Sequence, residues 1–246
     1  MRLLVSITSY FPNKIPYVQQ LLNEYNSIQQ TLNAKIDVVL ACNYSHTFEK
    51  NELNVTCNPE QLSGEFHAWS NYSYVKTKHP YYDYIIESDD DILITAENIR
   101  QYIKWESVSD DLLPGFLVYE KDEADTIYIQ SVLLGQQFIE KKAIFDQMPY
   151  FVPLNVHSAC YMIDSRRLER CKLPIEPYST ERYDVQCTAR SFLYISNYTK
   201  FIPINDVDNH LVHHLPNRYL SLNNQFFPRV GYKSLDYWKS VLHSEN

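Results

Sequence analysis

An α/β fold, with a mixed but mostly parallel sheet flanked by helices, is what the first half of this chain predicts. Three observations carry that expectation. Short apolar runs at Leu3–Ile7, Ile36–Ala41 and Tyr84–Ile86 have the length of buried strands. Segments with helical spacing separate them. Each run ends in polar residues, the place where open α/β sheets bind ligands.

Leu3 to Ile7 reads as the first strand and ends in the polar turn Thr8-Ser9-Tyr10. A helix follows from about Ile15 to Leu32. Its residues Ile15, Val18, Leu21, Leu22, Tyr25, Ile28 and Leu32 recur at the spacing of one helix face. Ile36 to Ala41 is a second strand, ending in Cys42-Asn43. Residues 62–79 read as helical, with Phe66, Trp69, Tyr72 and Tyr74 among polar neighbours. An acidic strand comes next. Strand, helix, strand, helix, strand in this order predicts crossovers into a largely parallel sheet. In the second half, Leu112 to Glu120 predicts a turn entering a strand, and residues 126–140 a hairpin turning near Leu134-Gly135-Gln136. Val156 to Ile163 reads as a strand, Ser165 to Cys171 as a short helix, and about Arg182 to Tyr194 as another. The aromatic tail after Phe226 shows no period.

A length of 246 residues suffices for one domain with a real core. The net charge of −8 argues against a general nucleic-acid binder. It leaves a nucleotide substrate open, because a metal can screen phosphates. Tyrosine, at 21 residues, offers a flat face and a hydroxyl that suit sugars as well as cores. The five cysteines, Cys42, Cys57, Cys160, Cys171 and Cys187, are odd in number and widely spaced, unlike a disulfide framework. A reducing, cytoplasmic setting is expected, compatible with peripheral contact at the inner face of a membrane. Met1 to Ile7 opens a strand and not a signal peptide, and no run reaches transmembrane length.

The most informative stretch is Glu87-Ser88-Asp89-Asp90-Asp91, held between Tyr84-Ile85-Ile86 and Ile92-Leu93-Ile94. A solvated acidic loop has no reason to sit between two such runs. Alternate residues of an extended segment point the same way, so Asp89 and Asp91 are candidates to grip one cation. Mg2+ and Mn2+ favour carboxylate oxygens and complete their shells with substrate phosphates. Downstream, Asn209 to Arg218 carries His210, His213 and His214. Neighbours on a strand face opposite ways, so one of His213 and His214 is expected to meet a cation, with Arg218 suited to a diphosphate.

In Ser179-Thr180-Glu181-Arg182-Tyr183-Asp184, Thr180 is placed to cap a helix and Asp184 to favour its dipole. Glu181 or Asp184 is equally placed to act as a general base toward an acceptor hydroxyl. His67 and Asn71 lie four apart on one helix face, either contacting a nucleotide or satisfying core hydrogen bonds.

Taken in order, these motifs resemble GT-A-fold glycosyltransferases, in particular a branch with a Glu-Asp-Asp-type strand end. Here that element is Asp89-Asp90-Asp91-Ile92-Leu93-Ile94. Leu62…His67 is similar to the branch's Leu/His-Arg helix, with Ala68 in place of the Arg. Pro114-Gly115-Phe116…Tyr119-Glu120 and Val212-His213-His214-Leu215-Pro216-Asn217 are similar to its later motifs. The resemblance spans residues 3 to about 220. It implies a GT-A-like single domain, with a nucleotide-sugar half over about 1–115, an acceptor half over about 116–225 and a C-terminal tail. It implies a nucleotide-diphosphate sugar as donor and a saccharide or other hydroxyl compound as acceptor. A divalent metal, Mn2+ or Mg2+, would sit at Asp89 and Asp91, assisted by His213 or His214. Thr8, Ser9, Tyr10, Asn43, His67, Asp90 and Arg218 would lie along the donor, and Tyr119, Glu120 and His157 near the acceptor. Tyr183-Asp184 occupies the place of the Glu-Asp pair that supplies the base in inverting members, so Asp184 is the expected base. The same acids would also serve a metal-dependent phosphohydrolase, and a binding module without turnover is the alternative outside enzymes.

Overall fold

The computed structural model describes residues 1–9, 12–42, 48, 52–58, 64–129, 139–145, 147–172, 174, 176–181, 184–215 and 234–244. In chain order its strands are β1 (Arg2–Ser9), β2 (Lys35–Cys42), β3 (Asn54–Cys57), β4 (Tyr84–Asp89), β5 (Ile92–Leu93), β6 (Leu112–Pro114), β7 (Leu117–Lys121), β8 (Ile127–Ile129), β9 (Ile139–Phe145), β10 (Met148–Pro153), β11 (Cys160–Asp164), β12 (Thr199–Pro203) and β13 (Leu211–His214). The helices are α1 (Ile15–Thr31), α2 (Tyr72–Lys78), α3 (Ala96–Glu106), α4 (Ser165–Arg170), α5 (Val185–Ala189), α6 (Phe192–Ser196) and α7 (Leu235–His243).

β1 lies at the centre of the main sheet, whose order is β11-β4-β1-β2-β3. β1, β2, β3 and β4 are parallel, and β11 adds an antiparallel edge. Leu3, Leu4, Val5 and Ile7 are all buried, so both faces of β1 are covered. α1 turns Val18, Leu21, Leu22, Tyr25 and Ile28 inward. Each such side chain contributes roughly 1.5–3 kcal/mol by leaving water. Pro16 suits the first turn of α1, and Asn33, at φ 45°, takes the left-handed turn that ends it. Two smaller sheets follow, β6-β12-β10-β9 and β5-β13-β7-β8. Leu117, Phe151, Ile202, Val207 and Leu211 form a second apolar cluster with Leu235 and Leu242 of α7. The architecture is therefore mixed α/β, with several mixed sheets flanked by helices. No described helix is long and apolar enough to cross a membrane.

β8 pairs with β7, and β9 with β10, on either side of the stretch where one hairpin is expected over 126–140. Residues 130–138, with the expected turn at Leu134-Gly135-Gln136, lie outside the described residues. Three local expectations change. The helix expected over Arg182–Tyr194 is two short helices, broken at Arg190-Ser191. Arg190 is pulled into the core there, and its contacts, given below, outweigh continued helix. Residues 64–81 are a 3₁₀ turn, α2 and a second 3₁₀ turn, not one helix. The aromatic tail carries α7, whose Leu235 and Leu242 lie seven apart and share one face.

Lys200 on β12 is fully buried. Its Nζ donates to the Val156 carbonyl and to Ser158 Oγ, both at 3.0 Å, and lies 5.4 Å from the Tyr194 ring centre. Gly115 leaves room for the stem, which a side chain there would overlap. Burial pushes the Lys200 ammonium down to about 7. The unfolded chain keeps that proton to about pH 10.4. The unfolded state thus binds more protons between about pH 7 and 10, and this group makes stability rise with pH across that window. Lys200→Met is expected to be more stable than the wild type by about 1–4 kcal/mol at pH 7. Urea unfolding at pH 7 and pH 9.5 should show the difference shrinking at the higher pH. Parallel curves would contradict it.

Candidate functional site

The acidic run takes its form from the point where β4 leaves the main sheet. β4 ends at Asp89, Asp90 and Asp91 turn, and β5 pairs antiparallel with β13 in a different sheet. The two isoleucine-rich runs thus belong to two sheets, and the acids sit at the crossing. The Leu215 amide closes the turn by donating to the Asp91 carbonyl at 2.9 Å. On the other side, the Asp89 amide donates to the Ala159 carbonyl at 3.0 Å. Ala159 holds φ 52°, an unfavourable region for an alanine, which aims that carbonyl at the end of β4.

Register places the remaining groups. Ser6 lies opposite Glu87, and Thr8 opposite Asp89. Ser6 Oγ donates to Glu87 Oε2 at 2.9 Å, and Ser9 Oγ to Asp90 Oδ2 at 2.6 Å. Arg190 enters beneath, its side chain only 2% exposed. Its Nε donates to Asp89 Oδ1 at 3.0 Å, and Nη1 to the Ala68 carbonyl at 3.0 Å and to Glu87 Oε2 at 3.2 Å. Nη2 donates to Thr8 Oγ1 at 2.8 Å. Lys14 comes from the start of α1, with Nζ 2.5 Å from Asp91 Oδ2 and 3.8 Å from Asp90 Oδ1.

β13 supplies the histidine. His214 is buried, with Nε2 3.4 Å from Asp91 Oδ2 and Nδ1 2.5 Å from Glu120 Oε1 on β7. His213 points to the opposite face and stacks on Tyr119, ring centres 4.8 Å apart. Of the two histidines, His214 is therefore the one turned to the acidic run. Glu120, expected near an acceptor, instead stands behind His214. One ring nitrogen is thus fixed by a carboxylate while the other faces Asp91, and metal-binding imidazoles are commonly held by a carboxylate in the same way.

The electrostatics suit a divalent ion. Among the described residues, five carboxylates (Glu87, Asp89, Asp90, Asp91, Glu120) meet Lys14, Arg190 and His214. The cluster has two more acids than cations. Burial, opposed by Arg190, pushes the Glu87 carboxyl up to about 7. Burial and the neighbouring Asp91 push Asp90 up to about 7. Burial would raise Asp91 too, but His214 and Lys14 outweigh it and hold Asp91 low. Burial alone would lower His214; its hydrogen bonds to Asp91 and Glu120 outweigh this and raise it to about 9. An ion taking His214 Nε2 would displace that proton. Among the described residues no group of three or more His, Cys, Asp or Glu side chains is placed to hold a metal ion. The ready donors are Asp91 Oδ2 and His214 Nε2, with Asp89, 34% exposed, beside them. A set of one or two carboxylates completed by substrate phosphates is how Mg2+ is commonly held.

Other expected site residues take quieter places. Thr8 and Ser9 are buried: Thr8 Oγ1 accepts from Arg190, and Ser9 Oγ donates to Asp90. His67 Nε2 bonds the Ser9 carbonyl at 3.0 Å, and Asn71 Nδ2 donates to the Ile7 carbonyl at 3.1 Å. Both hold the ends of the sheet, the core role weighed for them from spacing. Asp184 is the cap of α5 itself, its Oδ1 accepting from the Cys187 amide at 2.7 Å, and it is exposed. The expected cap, Thr180, lies upstream of that helix. Glu181 is exposed. His157 Nδ1 bonds Ser191 Oγ at 3.2 Å and the Cys187 carbonyl at 3.3 Å. Burial, with Lys200 nearby, pushes it down to about 4, a neutral imidazole. Tyr10, Asn43, Tyr183 and Arg218 lie outside the described residues.

Sequence reading missed Lys14 and Arg190. Each left a trace. Lys14 stands at the start of a helix, the wrong end for a cation, and Arg190 interrupts the apolar run from Ala189 to Ile195. No protein-family model matches the chain, and no curated protein matches it.

Proposed function

We propose that this chain is a metal-dependent glycosyltransferase of GT-A-like fold, moving a sugar from a nucleotide-diphosphate sugar to a hydroxyl acceptor in glycan or polysaccharide synthesis. One observation carries the reading: Asp91 and His214, the latter backed by Glu120, meet just past the carboxyl end of parallel strand β4, which Asp89 closes. Such strand ends are where open α/β sheets take their ligands.

When bound, Mn2+ or Mg2+ would stabilise charge on the leaving nucleotide as a Lewis acid. Asp91 and His214 would supply ligand atoms, with Asp89 at the end of β4. Glu120 holds the His214 ring, and Arg190 holds Asp89 in place. Asp184 takes the proton from the acceptor hydroxyl, whose oxygen attacks the anomeric carbon with inversion. A second reading, a nucleotide- or sugar-binding module without turnover, is favoured by the internal pairing of Asp89 and Asp91 with Arg190 and Lys14. It predicts donor binding without release of nucleoside diphosphate.

Asp184→Asn separates a base from a cap. Asparagine caps helices as well as aspartate does, so stability should stay within about 0.5 kcal/mol. Transfer should fall about 10²–10⁴-fold. NMR of the wild-type product should show the anomer opposite to the donor's. An active Asp184→Asn, or a retained anomer, removes Asp184 from the chemistry.

A further inference from the structure

Lys14 closes the 3₁₀ turn Pro12–Lys14 and stands at the N-terminus of the 17-residue helix α1. That end of a helix already carries partial positive charge, and the first turn of α1 has no acidic side chain to offset it. Asp91 and Asp90 are what hold the ammonium there. The oxygen that Lys14 holds, Asp91 Oδ2, is also the oxygen nearest His214 Nε2. A divalent ion taking that oxygen competes with the ammonium for it.

The two cations of the site differ in how they are held. Arg190 is sealed in and donates to side chains and carbonyls on several elements. Lys14 keeps 19% of its side chain exposed, donates at hydrogen-bond distance to Asp91, and otherwise lies 5.4 Å from the Tyr17 ring centre. Its side chain is only partly buried and is held by fewer partners than Arg190, so its withdrawal disturbs fewer contacts.

We propose that Lys14 is a displaceable internal counter-ion: its ammonium fills the cation position beside Asp91 in the metal-free protein and leaves it when a divalent ion binds. This rests on the metal reading above. It makes metal loading a competition, so a divalent ion enters only when its concentration is sufficient to displace the ammonium.

The test is Mn2+ binding to the full chain, followed by the electron paramagnetic resonance signal of free Mn2+, with no donor present. Wild type is compared with Lys14→Met, Lys14→Gln and Lys104→Met. Lys104 pairs with Asp206 on the surface and controls for loss of one positive charge. Both Lys14 variants should bind Mn2+ on the order of tenfold tighter than wild type, equivalent to about 1.4 kcal/mol, with Lys104→Met unchanged. Circular dichroism checks the fold, and Gln stands in if Met disturbs it. Equal or weaker Mn2+ binding in the Lys14 variants, against measurable wild-type binding, overturns the counter-ion alone. No binding to any of the proteins overturns it together with the metal reading.

Discussion

Asp91→Asn is expected to lower sugar transfer by on the order of 10²-fold or more with Mn2+ present, because a cation held by this carboxylate would stabilise charge on the leaving diphosphate by several kcal/mol. Asparagine keeps the shape of the turn and the Leu215 contact, which uses the backbone carbonyl. It removes the charge that His214 and Lys14 share. Folding should survive, read by circular dichroism, so the loss falls on chemistry. A folded variant with near-wild-type turnover would remove the metal from Asp91.

Arg190→Met should give the largest loss of stability. The guanidinium compensates Glu87 and Asp89 from a position that water does not reach. Removing one partner of a buried pair costs about 3–5 kcal/mol, because the remaining charge stays uncompensated. The pH dependence identifies the cause. Burial already raises Glu87 above its unfolded value, and without Arg190 that rise is greater. The folded state then binds the extra proton, so the variant loses stability as pH rises from about 4.5 through the raised value. Urea unfolding should show a smaller deficit at pH 5 than at pH 8, and Glu87→Gln added to Arg190→Met should recover part of it. A variant within about 1 kcal/mol of wild type at pH 8 would show that the network does not carry this weight.

What could be read from the sequence was whatever depends on local pattern. Ile15 to Leu32 shows its buried face by spacing alone, and α1 covers Ile15–Thr31. The acids were legible because flanking isoleucines made a solvated loop implausible, and the alternation of His213 and His214 limited the ligand to one. Pairing across distance was not legible. Nothing local joins Arg190 to Glu87 and Asp89 across about a hundred positions, or Lys14 to Asp91, yet these contacts decide the charge of the site. The pairing of β8 with β7 and of β9 with β10 was not legible for the same reason: apolar alternation marks strands but not their partners. Thr180 and Asp184 are both good caps; the helix began late enough for Asp184 to take that place.

The most direct test is a thermal-shift panel of nucleotide sugars on the wild-type chain, with Mn2+ and with EDTA. A ligand that binds only the folded state raises the melting temperature. At least one nucleotide sugar should do so with Mn2+, lose the effect in EDTA, and fail to shift Asp91→Asn under either condition. A panel in which no nucleotide sugar shifts the protein with Mn2+, or in which the shift is the same in EDTA, would contradict a metal-held diphosphate at Asp89, Asp91 and His214.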